Sequence, residues 1–300
     1  MWFKNLKVFR LSAHWAKHWD EIDQALSAHR FTPAGDLSAV SQGWVPPRED
    51  DDRLAVNVSG QLLLAMRMEK KLLPASVINQ EVKARAQIIE AEQGYRPGRK
   101  QIKDLKEMVT ESLMPRAFTI ARDVRLWIDP VNHWLVIDAA ASSQVEEVLS
   151  ALGKAMHPYP VEPLRLNQST ANLMTSWLIQ GEAPDGFTID PDSQWQSGGD
   201  SAGVIRYAKH AVSTDDITRH VENGYQCTRL ALTWQDRISF VLTDTADFKR
   251  VNPLDILEER AKADGALNEA EKLDTDFTLM TSELNHMLAA IMEVLGEERD

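Results

Sequence analysis

An α+β fold with antiparallel sheets, packed helices and a protruding helical hairpin follows from two features of the sequence. Runs in which apolar residues alternate with period two are joined by turn residues into hairpins near residues 54–69, 116–138 and 224–243. Each is followed by a segment whose apolar residues recur at helical spacing. With 300 residues, 43% hydrophobic and 26% charged, the chain has ample material for a core and lacks the composition of a disordered or fibrous protein.

The opening "WFKNLKVFRL" suits a strand, and "HWAKHWDEIDQAL" after Ser12 suits a short amphipathic helix. Between Thr32 and Arg53, the residues Pro33, Gly35, Gly43, Pro46 and Pro47 and the acidic run "EDDD" predict a long exposed loop. Val56 and Val58 then alternate, Ser59-Gly60 supplies a turn, and Leu62, Leu64, Met66 and Met68 alternate again. After Pro74, "ASVINQEVKARAQIIEAEQ" and "KQIKDLKEMVTESLM" predict two helices broken by "GYRPGR", with Ile102, Leu105, Met108 and Val109 as the apolar stripe of the second. Pro115 ends it.

From Arg116 the period becomes two, so Phe118, Ile120, Arg122, Val124, Leu126 and Ile128 share one face of a strand; "DPVN" turns it and "HWLVIDAA" returns. A helix from Ser142 precedes "HPYPVEP", the expected lobe boundary. Beyond it the sequence predicts a helix around Leu173 to Ile179, a Gly/Ser/Asp-rich loop to Gly203 and the strand "GVIRYAKH". A short helix capped by Ser213, the hairpin "YQCTRLALTWQDRISFVLTD" and a long C-terminal helix complete the chain. The expected organisation is a central α+β lobe from 1–73 and 115–160, a basic helical hairpin at its tip from 74–114, and a second α+β lobe with an acidic C-terminal helix from 161–300.

No stretch approaches the ~18 consecutive apolar residues of a membrane helix, and "MWFKNLKVFRLS" is interrupted by Lys4, Lys7 and Arg10, unlike a signal peptide. A cytoplasmic address is the expectation, and the single Cys227, expected in the core of a strand, agrees with a reducing compartment. The formal net charge is -12, which on average opposes nucleic acid. The average conceals an asymmetry: from Arg67 to Arg125 thirteen Lys or Arg face eight acids, so this segment carries +5 and the rest of the chain -17.

Phosphate-cradling, dinucleotide-binding, nucleophile-elbow and zinc-protease motifs are absent from the sequence, as is any CxxC. His14 and His18, four residues apart, could share a helix face as metal ligands, but histidines between Trp15 and Trp19 read better as half-buried or surface residues. Glu81-x-Lys83 with Asp129 and Asp138 would be the elements of a metal-dependent nuclease, the alternative function; Glu81 and Lys83 fall inside a helix, and Asp129 begins a turn that favours Asp anyway. The stronger set is basic: Lys83, Arg85, Arg99, Lys100 and Lys103 on and between the two helices, then Arg116 and Arg122 on the strand, where guanidinium groups held by a sheet are good phosphate donors. Lys209 and His210 form a second basic point and Lys249-Arg250 a third. Phe118 reads either as a core residue beside Ile120 or as an anchor for a partner's pocket.

The segments "MWFKNL", "GWVPP", "EKKLLP", "SLMPRAFT", "WIDPVN", "SAGVIRYAKH", "LALTWQDRISFVL" and "DTDFTLMTSEL", in this order along almost the whole chain, resemble the RdgC family of bacterial recombination-associated, nucleoid-associated DNA-binding proteins. That resemblance implies a homodimer closed into a ring around double-stranded DNA, with little sequence preference and with single-stranded DNA left open as a ligand. It implies restraint of RecA-promoted strand exchange, with direct contact to RecA undecided, a place in the nucleoid, and neither enzymatic activity, cofactor nor metal. Carried over by position, it places Phe118 at a ring-closing dimer contact with Arg116 close by, and Lys209 and His210 at the DNA, although the family also carries an uncharged polar residue at the position of His210.

Overall fold

The computed structural model describes residues 2–12, 19–159, 161–198, 203–254 and 268–298. His14, Trp15 and His18, and with them the conceivable histidine metal pair, lie outside the described residues. The first part of the chain supplies strands β1 (Leu6–Leu11), β2 (Val40–Val45), β3 (Ala55–Val58), β4 (Gln61–Leu72), β5 (Phe118–Asp129), β6 (Trp134–Asp138) and β7 (Val161–Glu162). The second supplies β8 (Phe187–Ser197), β9 (Val204–Tyr207), β10 (Tyr225–Trp234), β11 (Ile238–Thr243) and β12 (Phe248–Pro253). All twelve join one antiparallel sheet in the order β2-β4-β5-β6-β1-β12-β11-β10-β8-β9, with β3 also on β4 and β7 also on β1. The α+β class with antiparallel pairing is therefore as expected, built on one continuous sheet.

The period of two decides which core each side chain enters. On β4 and β5, Leu62, Leu64, Met66, Val124, Leu126 and Ile128 join a cluster with Ile22 and Leu26 of α1 (Trp19–Ser27) and Val145, Val148 and Leu152 of α4 (Ser142–Ala155). The intervening Leu63 and Trp127, with Trp134 and Val136 of β6, join the larger cluster on the other face. There they meet Met174 and Trp177 of α5 (Thr170–Gln180), Ile217 of α6 (Thr214–Glu222) and the apolar stripe Phe277, Met280, Leu284, Met287, Leu288 and Ile291 of α7 (Glu269–Val294). Cys227 is buried in that cluster as a free thiol, and burial pushes its pKa up to about 12.

The Ser59-Gly60 turn has φ of +52° and +83°, the left-handed pair of a tight hairpin turn, which a glycine accommodates at the second position. Four strands depart from expectation. The expected loop from Thr32 to Arg53 contains β2, because Trp44 is fully buried and Gly43 lets the backbone at Phe31 approach so closely that a Cβ would sit 2.5 Å from Phe31 Cα. The expected loop before Gly203 contains β8, whose Pro191 falls where the register between β8 and β10 shifts, the kind of place at which a sheet tolerates proline. The third hairpin is followed by β12, not directly by a helix. The proline-rich stretch after His157 carries β7, which pairs Val161 with Leu11 of β1.

Candidate nucleic-acid interface

The two helices α2 (Ala75–Gln93) and α3 (Arg99–Leu113) form the expected hairpin, packing Ile78 and Val82 against Leu105 and Val109 in a small core of their own. Gly94 ends α2 at φ +81°, a left-handed cap that returns the chain toward α3. Met108, expected in the stripe, is 55% exposed. Some cations on the hairpin already have an acidic partner. Arg85 is held 2.8 Å from Glu81, Lys103 lies 3.9 Å from Glu107, and Arg96 lies 3.3 Å from Glu90. Lys83, Arg99 and Lys100 are exposed and form no ion pair among the described residues. The pairs are solvent-accessible and worth little individually, so an arriving phosphate can compete for them.

Past α3 a single 3-10 turn, Met114–Arg116, delivers the chain into β5 with Arg116 exposed. β4 and β5 pair along their whole length, Leu62 opposite Ile128 through Leu72 opposite Phe118, whereas β6 covers β5 only from Leu126 to Asp129. The outer half of β5 therefore has an open edge among the described residues. Its buried run begins at Val124, and Phe118 is 83% exposed; the reading of Phe118 as a core residue is thus excluded by its position. Leu72, Ile120 and Val40 are also exposed around it. Arg122 lines a groove with Val40, Met68, Leu72 and Ile120, flanked by Glu69, Lys70 and Glu147. The neighbouring Arg67 is instead clamped on both carboxylate oxygens of Asp123 at 2.7 Å.

Lys209 and His210 lie on the exposed bend after β9, Lys209 with a φ of +55°. The bend is tied down by Asp192, whose Oδ1 accepts the backbone N–H of Lys209 at 2.7 Å while Oδ2 accepts from Arg250 at 3.1 Å. These contacts hold the Asp192 carboxyl below the usual carboxylate range, led by the Lys209 N–H, with burial opposing. Two of the basic points expected separately, Lys209-His210 and Lys249-Arg250, are therefore joined through one acid. Arg206 and Arg229 line a pocket with Asp192, Lys249 and Arg250, and were missed by sequence reasoning. The signal was present in principle, as arginines interrupting the strands "GVIRYAKH" and "YQCTRLALTW".

The carboxylates of the nuclease alternative are engaged elsewhere. Asp129 is fully buried at the start of the β5–β6 turn and accepts from the N–H groups of Val131 and Asn132 and from the side-chain amides of Asn132 and Asn285. Burial raises its pKa, but those donors outweigh burial and hold it ionised below the usual range. Asp138 accepts the N–H groups of Lys4 and Asn5, although burial keeps its pKa raised. Among the described residues no group of three or more His, Cys, Asp or Glu converges as a metal site, and no helix is long and apolar enough to cross a membrane.

Comparison with known proteins gives one consistent result. The model of a family described as "Putative exonuclease, RdgC" matches residues 1–298. The chain is 52% identical over 299 residues to the recombination-associated protein RdgC of Bordetella parapertussis, covering 100% of this chain and 99% of that one. It is 51% identical over 300 residues to the protein of the same name from Cupriavidus necator, again covering 100% and 99%. With the Burkholderia ambifaria protein, also so named, it shares 48% identity over 299 residues, 100% of this chain and 97% of the relative.

Proposed function

Because the chain belongs to the RdgC family, we propose that it is a non-enzymatic, homodimeric binder of double-stranded DNA that encloses the duplex in a ring without strong sequence preference. In this reading it resides in the nucleoid and limits RecA-promoted strand exchange by occupying DNA. The observation that carries the proposal is the display of Lys83, Arg99, Lys100, Arg116 and Arg122 as exposed cations, without ion pairs among the described residues, on a chain of net charge -12. A protein that only needed solubility would gain nothing from concentrating positive charge in one segment of an acidic chain.

Acids more than a Debye length away do not cancel this segment at close range. Charges separated by more than the ~8 Å Debye length at physiological salt are largely screened, so DNA lying against the basic residues feels them first. Phosphate contacts fix position without reading bases, which gives affinity without sequence preference. Two duplexes of unrelated sequence should therefore bind with affinities within a few-fold of each other in a fluorescence-anisotropy titration. A preference of a hundredfold, or no binding to either, would refute the proposal.

The second reading is a metal-dependent nuclease; the description of the matching family as an exonuclease favours the nuclease part of it. Its sequence candidates give it little support. Glu81 lies beside Arg85 on the same helix, and Asp129 is buried with its oxygens bound to Asn132 and Asn285.

A further inference from the structure

The five strands β12, β11, β10, β8 and β9 bury one face under α5, α6 and α7. On the opposite face lies a concave pocket of about 520 Å³, lined among others by Arg206, Arg229, Lys249 and Arg250. Two irregularities in the sheet assemble it. Between Ser239 and Val241 of β11, the partner β12 carries one extra residue, and Arg250 takes a φ of +52° there. Adjacent strand residues ordinarily point to opposite faces, but the bulge lets Lys249 and Arg250 line one pocket together. Between β10 and β8 the register shifts on both sides of Arg229, which sits opposite Gln194.

The charges in the pocket are poorly compensated. Asp192 is the single acid among its lining residues, and it already serves Arg250 and the Lys209 N–H. Arg206 donates Nε to Gln194 at 2.9 Å, a neutral acceptor. Lys249 donates to the carbonyl of Ala140 at 3.0 Å and stands 3.9 Å from Asp247, which is itself 2.5 Å from Lys7. Arg229 is exposed and has no ion pair among the described residues. Burial, and then the nearby Lys7 and Arg229 cations, lower the Lys249 pKa against the pull of Asp247. Among the described residues Arg206 and Arg229 have no carboxylate partner, and an anion with several acceptor oxygens supplies the counter-charge.

We propose that this pocket seats a phosphate group, with Arg229 and Arg206 as its principal donors and Lys249 and Arg250 behind them, and that on the DNA-binding reading above the phosphate belongs to the duplex backbone. Ser193, Gln194 and Asn5 add polar groups to the lining. The seat adjoins the bend of Lys209 and His210, so one stretch of backbone can run from the pocket across that bend.

The test is the double variant Arg206→Ala/Arg229→Ala. Both residues are exposed, so its melting temperature in chloride should match the parent. In the first arm, inorganic phosphate at constant ionic strength should raise the melting temperature of the parent and not of the variant. In the second, the variant should bind duplex about tenfold more weakly, with a salt slope shallower by about one. Loss of phosphate stabilisation with unchanged duplex binding overturns the backbone assignment and leaves a seat for free phosphate. If the parent binds no duplex, the DNA-binding reading fails and the first arm alone decides the seat; no difference between parent and variant in either arm overturns it.

Discussion

Raising salt from 50 to 200 mM should weaken duplex binding by about a thousandfold. The estimate assumes that about six phosphates are neutralised, each contributing ~0.9 to the slope of log K against log salt, for a slope near -5. Five exposed cations without ion pairs among the described residues, Lys83, Arg99, Lys100, Arg116 and Arg122, with Lys209 and the pocket behind it, can supply contacts of that number. Arg67, held on both oxygens of Asp123, should contribute little, because a phosphate must first displace a bidentate carboxylate. Replacing Arg67 should therefore change the slope less than replacing Arg122 on the neighbouring strand. A titration whose affinity ignores salt would remove electrostatics as the source of binding and the proposed role of the basic segment with it.

Phe118→Ser should loosen the proposed dimer by at least thirtyfold while leaving the fold unchanged. The side chain is 83% exposed at the end of β5 and faces Leu72 across the strand pair, so its loss removes almost no buried area within the subunit. The stability of the variant, measured by urea denaturation at a fixed protein concentration under conditions where both proteins are monomeric, should stay within about 0.5 kcal/mol of the parent. An exposed aromatic among Val40, Leu72 and Ile120, beside an open strand edge, is instead the kind of residue that anchors an interface, where truncation costs ~2 kcal/mol or more. Sedimentation equilibrium of parent and variant measures the shift. An unchanged dimer constant would dismiss Phe118 as a closing contact, and a large loss of monomer stability would contradict its position at the surface.

The helical hairpin was legible because Pro74, Gly94 and Pro115 punctuate two runs whose apolar spacing is local information. The hairpins β3–β4, β5–β6 and β10–β11 were legible for the same reason, their turns being written in Ser59-Gly60, "DPVN" and "WQDR". Strands β2 and β8 were not. Gly43 and Pro191 are strand-breaking residues by composition, and their use became visible only through partners distant in sequence: the backbone of Phe31 against Gly43, and the shifted register of β10 at Pro191. The site divides in the same way. Charge segregation and the exposed arginines of β5 were readable, since thirteen bases in one segment need no fold to be counted. The joining of Lys209 to Arg250 through Asp192 was not, because it depends on β8, β12 and the bend after β9, which lie far apart in sequence and meet only in the assembled sheet.

The central claim, that the protein holds DNA without cutting it, meets its most direct test with end-labelled linear duplex incubated with excess purified protein and Mg²⁺ or Mn²⁺. One sample is divided between a native gel and a denaturing gel. The expected result is a fully retarded duplex on the first and full-length strands on the second, for either metal and for unrelated sequences. Progressive release of short nucleotides, abolished by chelator, would contradict the account and return the protein to the nuclease reading.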